Sequence, residues 1–224
     1  MLKKNKFKVI LSAIIILLPM LFGIIMWNDL PNTMTTHWGA DGNADGFSSK
    51  AFAVFGLPCI LLVLHFICLL FTLLDKKQKE QNQKALGMIF WIIPIISLLD
   101  NGIMYRAAFG KEIDLSLFVP ILLGIMFIFM GNYLPKVKQN RTLGIKVSWA
   151  LNNEENWNKT HRLGGKVWVV GGLIMLFSAF LPINAMVWVT IVVITAIAVI
   201  PIAYSYYVYK QHQKDGIVYV TPPR

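Results

Sequence analysis

Six long apolar runs separated by short polar segments set the pattern of this chain, at residues 9–27, 51–74, 85–105, 115–134, 166–183 and 186–209. A helix needs about 20 apolar residues to cross a hydrocarbon core of ~30 Å, and each run is of that order. The pattern predicts an all-α polytopic membrane protein with six transmembrane helices. Pro135 should end the fourth, because proline cannot continue the hydrogen-bond ladder. A Pro-Ile-Asn-Ala turn at Pro182 separates the last two. Aromatic side chains at run ends, among them Trp27, Tyr133, Trp168, Trp188 and Tyr209, fit the belts that form at membrane interfaces.

Charge orients these runs. Hydrophobic residues are 56% of the chain and charged residues 14%, too little polar surface for a soluble core. Of the 21 Lys and Arg, 4 precede the first run, 4 lie between the second and third (Lys76, Lys77, Lys79, Lys84), 7 lie from Lys136 to Lys166, and 3 are in the tail. These segments alternate along the chain, so both termini are expected in the cytoplasm and the loop 28–50 outside. Only Lys50, Arg106 and Lys111 fall on the outer side. The net charge of +10 is thus a mark of topology, and direct nucleic-acid binding is not expected. Cys59 and Cys68, nine residues apart on one run, face opposite sides of a helix and cannot form an intrahelical disulfide. The expected organisation is a two-span domain at 1–84, a four-span domain at 85–209 with a cytoplasmic stretch at 135–165, and a cytoplasmic tail at 210–224.

The polar segments hold the candidate chemistry. In the outer loop, Asp41-Gly-Asn43-Ala-Asp45-Gly46 matches the first half of a calcium loop, but position twelve is Phe52 rather than a bidentate glutamate. A polar turn is the better reading, and no metal site is expected. His37 and Trp38 just before it are candidates for an extracytoplasmic contact together with Asp41 and Asp45, or amphipathic rings at headgroup level. Ionisable groups inside spans are costly. His65, midway along the second run, is read as a neutral histidine hydrogen-bonded within the bundle. Asp100 and Asn101 are read as solvated near the outer end of the third. Gly164, Gly165, Gly171 and Gly172 form a small-residue stripe suited to close helix approach. No nucleophile elbow, phosphate loop, zinc motif or dinucleotide fingerprint occurs, so neither enzymatic activity nor a cofactor is expected.

The central stretch is patterned differently. Asn152 or Asn153 can cap a helix whose first turn carries Glu154 and Glu155, where the dipole favours negative charge. Glu155 and Lys159 stand at i, i+4. Trp157, His161, Gly164 and Trp168 then share one helical face, so the fifth helix should start early at the inner surface, either as a functional face or as an interfacial anchor. Lys136, Lys138, Arg141 and Lys146 suit anionic headgroups of membrane lipids or an acidic partner.

These residues resemble the SdpI family of bacterial toxin-immunity membrane proteins. The matching pieces are G-N-x-L-P-K (Gly131, Asn132, Leu134, Pro135, Lys136) and N-x-x-x-G-I-K-x-x-W-x-L (Asn140, Gly144, Ile145, Lys146, Trp149, Leu151). W-x-x-T-H-R-x-G-G follows, with Trp157, Thr160, His161, Arg162, Gly164 and Gly165. Val147 departs from the pattern, where threonine or a similar residue is expected. The first half is similar to the small N-terminal membrane domain often fused to that family. The resemblance implies a protein of the bacterial cell membrane that protects its producer from a secreted antimicrobial peptide toxin. It also implies, as in one branch, a receptor that holds a transcriptional repressor at the membrane. A small transporter or exporter of peptides or lipids is the rival reading. Asn132, Pro135, Asn140, Gly144, Lys146, Trp149, Trp157, Thr160, His161, Arg162 and Gly165 are the candidate functional residues. Trp157→Ala or His161→Ala is expected to remove protection at normal membrane level.

Overall fold

The computed structural model describes residues 2–39, 41–74, 83–111 and 114–217. The expected cytoplasmic lysines Lys76, Lys77 and Lys79, and the Pro222-Pro223-Arg224 end, lie outside the described residues, as do the side chains of Lys3, Lys4 and Lys84. The chain is an all-α polytopic membrane protein that divides into two compact units.

The first unit contains α1 (Leu2–Ile25), a hairpin of β1 (Thr33–Trp38) and β2 (Ala44–Ser49), and α2 (Leu57–Leu74) entered through a π-helical turn at Phe52–Gly56. It is completed by α3 (Gln83–Ala108), from Leu86 onward. The hairpin is the one feature of the outer loop that periodicity did not foretell. β1 and β2 pair antiparallel, Thr33 with Ser49 and Trp38 with Ala44, with register shifts around His37. The strands are short, and their Thr-Met-Thr-Thr-His-Trp alternation is too brief to stand out beside runs of twenty apolar residues. Leu30, Met34, Ala53, Val54, Met104 and Tyr105 form a buried cluster beneath it, against which Trp38 packs. Trp38 is therefore partly buried in protein contacts. Lys50 is pinned as well: Nζ donates to the Trp27 carbonyl at 3.0 Å and lies 5.1 Å from its ring centroid.

Polar side chains tie α3 to α1. Ser97 Oγ donates to Ile16 O at 3.0 Å, and Tyr105 Oη donates to Pro19 O at 2.8 Å. Asn101 lies between them at i+4 and is 1% exposed, its amide donating to Ser97 O. It is thus buried in the bundle rather than solvated at its end, because α3 turns the Ser97–Asn101–Tyr105 face toward α1. His65 is also fully buried, 2.8 Å from Ser12 Oγ of α1. Since that hydroxyl also reaches Val9 O at 2.9 Å, its proton goes there and the ring Nε2–H donates to Ser12.

The second unit contains α4 (Leu115–Tyr133), a 3₁₀ turn at Leu134–Lys136, the short α5 (Ser148–Leu151), α6 (Glu154–Ser178) and α7 (Ile183–Lys214). Pro135 ends α4 within that turn. Among the described residues, five helices are long and apolar enough to cross a membrane: Asn5–Ile25, Phe52–Thr72, Gly87–Ala108, Leu115–Lys136 and Ile183–Lys214. α6 is not among them, although it was expected to supply the fifth of six spans. Its early start puts Glu154, Glu155, Lys159, Arg162 and Lys166 on the same helix. The part after Lys166 covers only about 20 Å at 1.5 Å per residue.

The glycine stripe of α6 divides into two. A Cβ on Gly165 would sit 2.6 Å from Gly131 O of α4, and one on Gly172 2.6 Å from Gly124 O. Gly164 and Gly171 instead face Leu134 and Ile145 on one side and Pro201, Val193 and Ile197 of α7 on the other. Adjacent glycines thus serve different neighbours, at a seven-residue spacing that both α4 and α6 share. Gly165→Ala should force the backbones of α4 and α6 apart and cost about 1–3 kcal/mol, as overpacking does. Gly87→Ala, with nothing within 4 Å of its Cβ, should leave the thermal midpoint in detergent unchanged or raised.

Candidate functional site

The stretch between α4 and α6 folds back onto α6 and is held there by side chains. Asn140, 1% exposed, organises the first part by itself. Its Oδ1 accepts from Thr142 N (2.8 Å), Thr142 Oγ1 (3.0 Å) and Leu143 N (2.6 Å). Its Nδ2 donates to Lys138 O (2.7 Å) and Leu143 O (3.1 Å). Gln139 Nε2 donates to Ala150 O and Leu151 O, both at 3.0 Å, and so satisfies carbonyls at the end of α5.

α6 starts as its sequence dictates. Asn153 is the N-cap, its side chain accepting from Asn156 N at 2.8 Å. Glu155 pairs with Lys159 at 2.7 Å, and Oε2 of the same carboxylate lies 3.7 Å from Nε2 of His212, buried near the end of α7. The hydrogen bond and charge of Lys159, with His212 adding, hold the Glu155 carboxyl below the usual range.

Two aromatic side chains dock the stretch onto this helix. Trp157 is fully buried and its Nε1 donates to Val137 O at 2.8 Å. The His161 ring stacks on it with centroids 3.9 Å apart. His161 Nδ1 donates to Trp157 O at 2.8 Å, so Nε2 is left as the acceptor for Ile145 N–H at 2.9 Å. Both ring nitrogens are used by a neutral imidazole, and burial pushes its pKa down to about 4. Gly144 makes the approach possible. It has φ +105°, and a Cβ there would collide with His161 Nε2 and sit 3.1 Å from the Trp157 ring. Gly144→Ala should therefore cost about 1–3 kcal/mol from backbone strain, plus the collision. Gly216→Ala shares the positive φ but has no neighbour within 4 Å, so a larger loss of thermal midpoint at Gly144 isolates the His161 contact.

A second polar cluster joins α6 to α7. Asn156 Oδ1 accepts from Ser205 Oγ (2.7 Å) and Thr160 Oγ1 (2.9 Å), and its Nδ2 donates to Ser205 O (2.9 Å). All three residues are buried. One turn-pair further on, Trp168 Nε1 donates to Ile197 O at 3.0 Å. That carbonyl lacks its helical partner because Pro201, four residues on, has no N–H. Trp168 is thus an internal donor rather than part of an interface belt.

Of the candidate residues, Pro135, Asn140, Gly144, Trp157, Thr160, His161 and Gly165 come together in this platform, and Trp149 on α5 stacks against Tyr209 and meets Tyr206 edge-on, both of α7. Asn132, Lys146 and Arg162 remain exposed around it. Trp157 cannot be an interfacial anchor, since none of its surface reaches solvent or lipid. Asn156, Ser205, Gln139 and His212 were missed. An Asn156–Thr160 pair at i, i+4 on the Trp157 side of α6 was the available signal. Ser205 had none, because a single serine in an apolar helix is common.

The outer-loop candidates are engaged locally. His37 Nδ1 lies 2.6 Å from Asp45 Oδ1, both exposed, across the hairpin. Asp41 accepts from Asn43 N (3.1 Å) and Asn43 Nδ2 (2.8 Å), bonds that lower its pKa. This is turn chemistry, closed by Gly42 at φ +81°.

The platform coincides with a known sequence unit. The family model described as the SdpI/YfhL protein family matches residues 136–205, from the 3₁₀ turn to the serine that binds Asn156. A model described as a domain of unknown function (DUF1648) matches residues 14–62, which hold most of α1, the hairpin and the start of α2. Immunity protein SdpI of Bacillus subtilis (strain 168) is 28% identical over 216 residues, covering 93% of this chain and 97% of that protein. No solved structure matches the chain. The SdpI/YfhL segment thus begins where α4 ends and takes in every hydrogen bond described for the platform, leaving outside it the 3.7 Å contact of His212 with Glu155.

Proposed function

We propose that this chain is an immunity protein of the bacterial cell membrane, protecting the cell that makes it from a secreted antimicrobial peptide toxin. The observation that carries this reading is the end-to-end similarity to an immunity protein, over 93% of the chain and both of its matched regions. The geometry of the platform supports a binding or signalling role over catalysis. The polar atoms of Asn140, Asn156, Trp157 and Thr160 are spent on protein partners, and His161 has both nitrogens engaged. Around this folded core the exposed Lys146 and Arg162 present positive charge, together with Lys136, whose Nζ lies 4.7 Å from the Tyr133 ring centroid. In this reading that basic rim faces the cytoplasm, rests on anionic headgroups and takes a transcriptional repressor as its partner, while the toxin is sensed from outside or within the bilayer.

The test is a killing assay. Sensitive cells expressing the full chain should survive a peptide dose that kills cells carrying empty vector. Equal killing at verified membrane level would exclude immunity against that peptide. Replacing Lys136, Lys146 and Arg162 together by Gln should leave survival intact and release a fluorescent repressor from the membrane; unchanged repressor position would sink the recruitment role.

A further inference from the structure

The first unit carries a groove between α1 and α3 that neither the platform nor the hairpin uses. Its volume is about 550 Å³, within the ~300–1,000 Å³ typical of small-molecule sites. α1 lines it with Leu18, Leu21 and Phe22, and α3 with Leu98 and Phe109, all five at least 36% exposed. Gly102 forms part of its wall, and a Cβ there would meet nothing within 4 Å. The groove is therefore a lengthwise apolar channel in two helices of membrane-spanning length, open on one side.

One end is cationic. Arg106 and Lys111 both line the groove, at the end of the unit that carries the hairpin. Their placement follows from how α3 stops. Gly110, at φ +67°, donates to Ala107 O at 2.9 Å, and Lys111 N donates to Arg106 O at 3.0 Å. This is a Schellman ending, which folds the chain back so that Lys111 sits over the turn bearing Arg106. It also occupies two of the carbonyls whose negative ends would otherwise repel an anion there.

We propose that this groove binds an anionic phospholipid, with an acyl chain along Leu18, Phe22 and Leu98 and the phosphate between Arg106 and Lys111. An apolar trough joined to a pair of cations at the end of a helix of spanning length matches both halves of such a lipid, whereas a zwitterionic one fits the trough equally but brings a headgroup ammonium that the two cations repel. A free phosphate would satisfy only the cations.

The test uses the purified full chain in detergent, titrated with phosphatidylglycerol or phosphatidylcholine of equal chain length and read by native mass spectrometry. Phosphatidylglycerol should bind in preference. Arg106→Gln with Lys111→Gln should weaken it about thirtyfold, the two cations together. Gly102→Leu, which fills open space and should fold normally, should weaken both lipids. Millimolar inorganic phosphate should leave the lipid bound. The proposal is overturned by equal binding of the two lipids, by either variant binding phosphatidylglycerol normally, or by displacement with phosphate, which would mark an anion site alone. A retained peptide or second copy of the chain in place of lipid would overturn it too.

Discussion

Trp157→Ala should be the most damaging single change in this protein, lowering its thermal midpoint and its level in the membrane together. The indole is fully buried, stacks on His161 and holds Val137 O through Nε1. Truncating a buried aromatic costs about 3–5 kcal/mol through lost contact and the cavity left behind. The unpaired Val137 carbonyl adds to this. Sequence alone suggested a variant present at normal level but inactive. Burial changes that expectation, because the side chain is part of what folds the stretch onto α6. Trp157→Phe keeps most of the volume and loses the hydrogen bond, and should fall between the two. Unfolding of detergent-solubilised protein followed by fluorescence, with membrane level by immunoblot, checks both; a Trp157→Ala protein as stable as the parent would refute the docking role.

The second large effect is acid sensitivity set by His161. Its pKa is pushed down to about 4 in the folded chain, against an ordinary value of 6.5. The folded state therefore binds fewer protons than the unfolded state between these values, and stability rises with pH across them. The stabilisation is complete above about pH 6.5 and is lost as pH falls toward 4, by roughly 2 kcal/mol between pH 7 and pH 5. Physically, protonation at Nε2 would turn the acceptor of Ile145 N–H into a second donor facing it. His161→Gln, which does not titrate, should be less stable at pH 7 and show a flatter profile from pH 7 to pH 5. A parent profile equally flat would mean that the imidazole is not held neutral by this site.

Much of the fold was legible because membrane helices are written in composition. Apolar runs located five of the long helices to within about seven residues at each end, Pro135 marked the end of α4, and Asn153 with Glu154 and Glu155 marked the start of α6. These signals are local. Hydrocarbon demands length and apolarity, and a helix terminus demands its cap, whatever the neighbours are. The hairpin of β1 and β2 was invisible for the complementary reason: six-residue strands take their stability from pairing and from the cluster beneath them.

The candidate site was legible as a set of residues and not as an arrangement. Trp157 and His161 share a helical face by spacing alone. That the face receives a folded-back loop required knowing where Asn140 and Gly144 turn the chain. Gly165 could be assigned to helix packing from its type, yet only the structure decides that Gly165 and Gly172 meet α4, Gly171 meets α7, and Gly164 meets Ile145 and Leu134 ahead of Pro201. Trp168 was assigned by its position in sequence to an interface, and its true partner is a carbonyl freed by Pro201 on another helix. The chain by itself determined that this is a helical membrane protein, where most of its helices lie and which residues carry its resemblance to the SdpI family, since these depend on neighbours in sequence. The tertiary structure alone decided that Asn156, Ser205, Trp157 and His161 are buried partners, because the bonds that hold them join groups 16 to 49 residues apart whose meeting depends on how the chain packs.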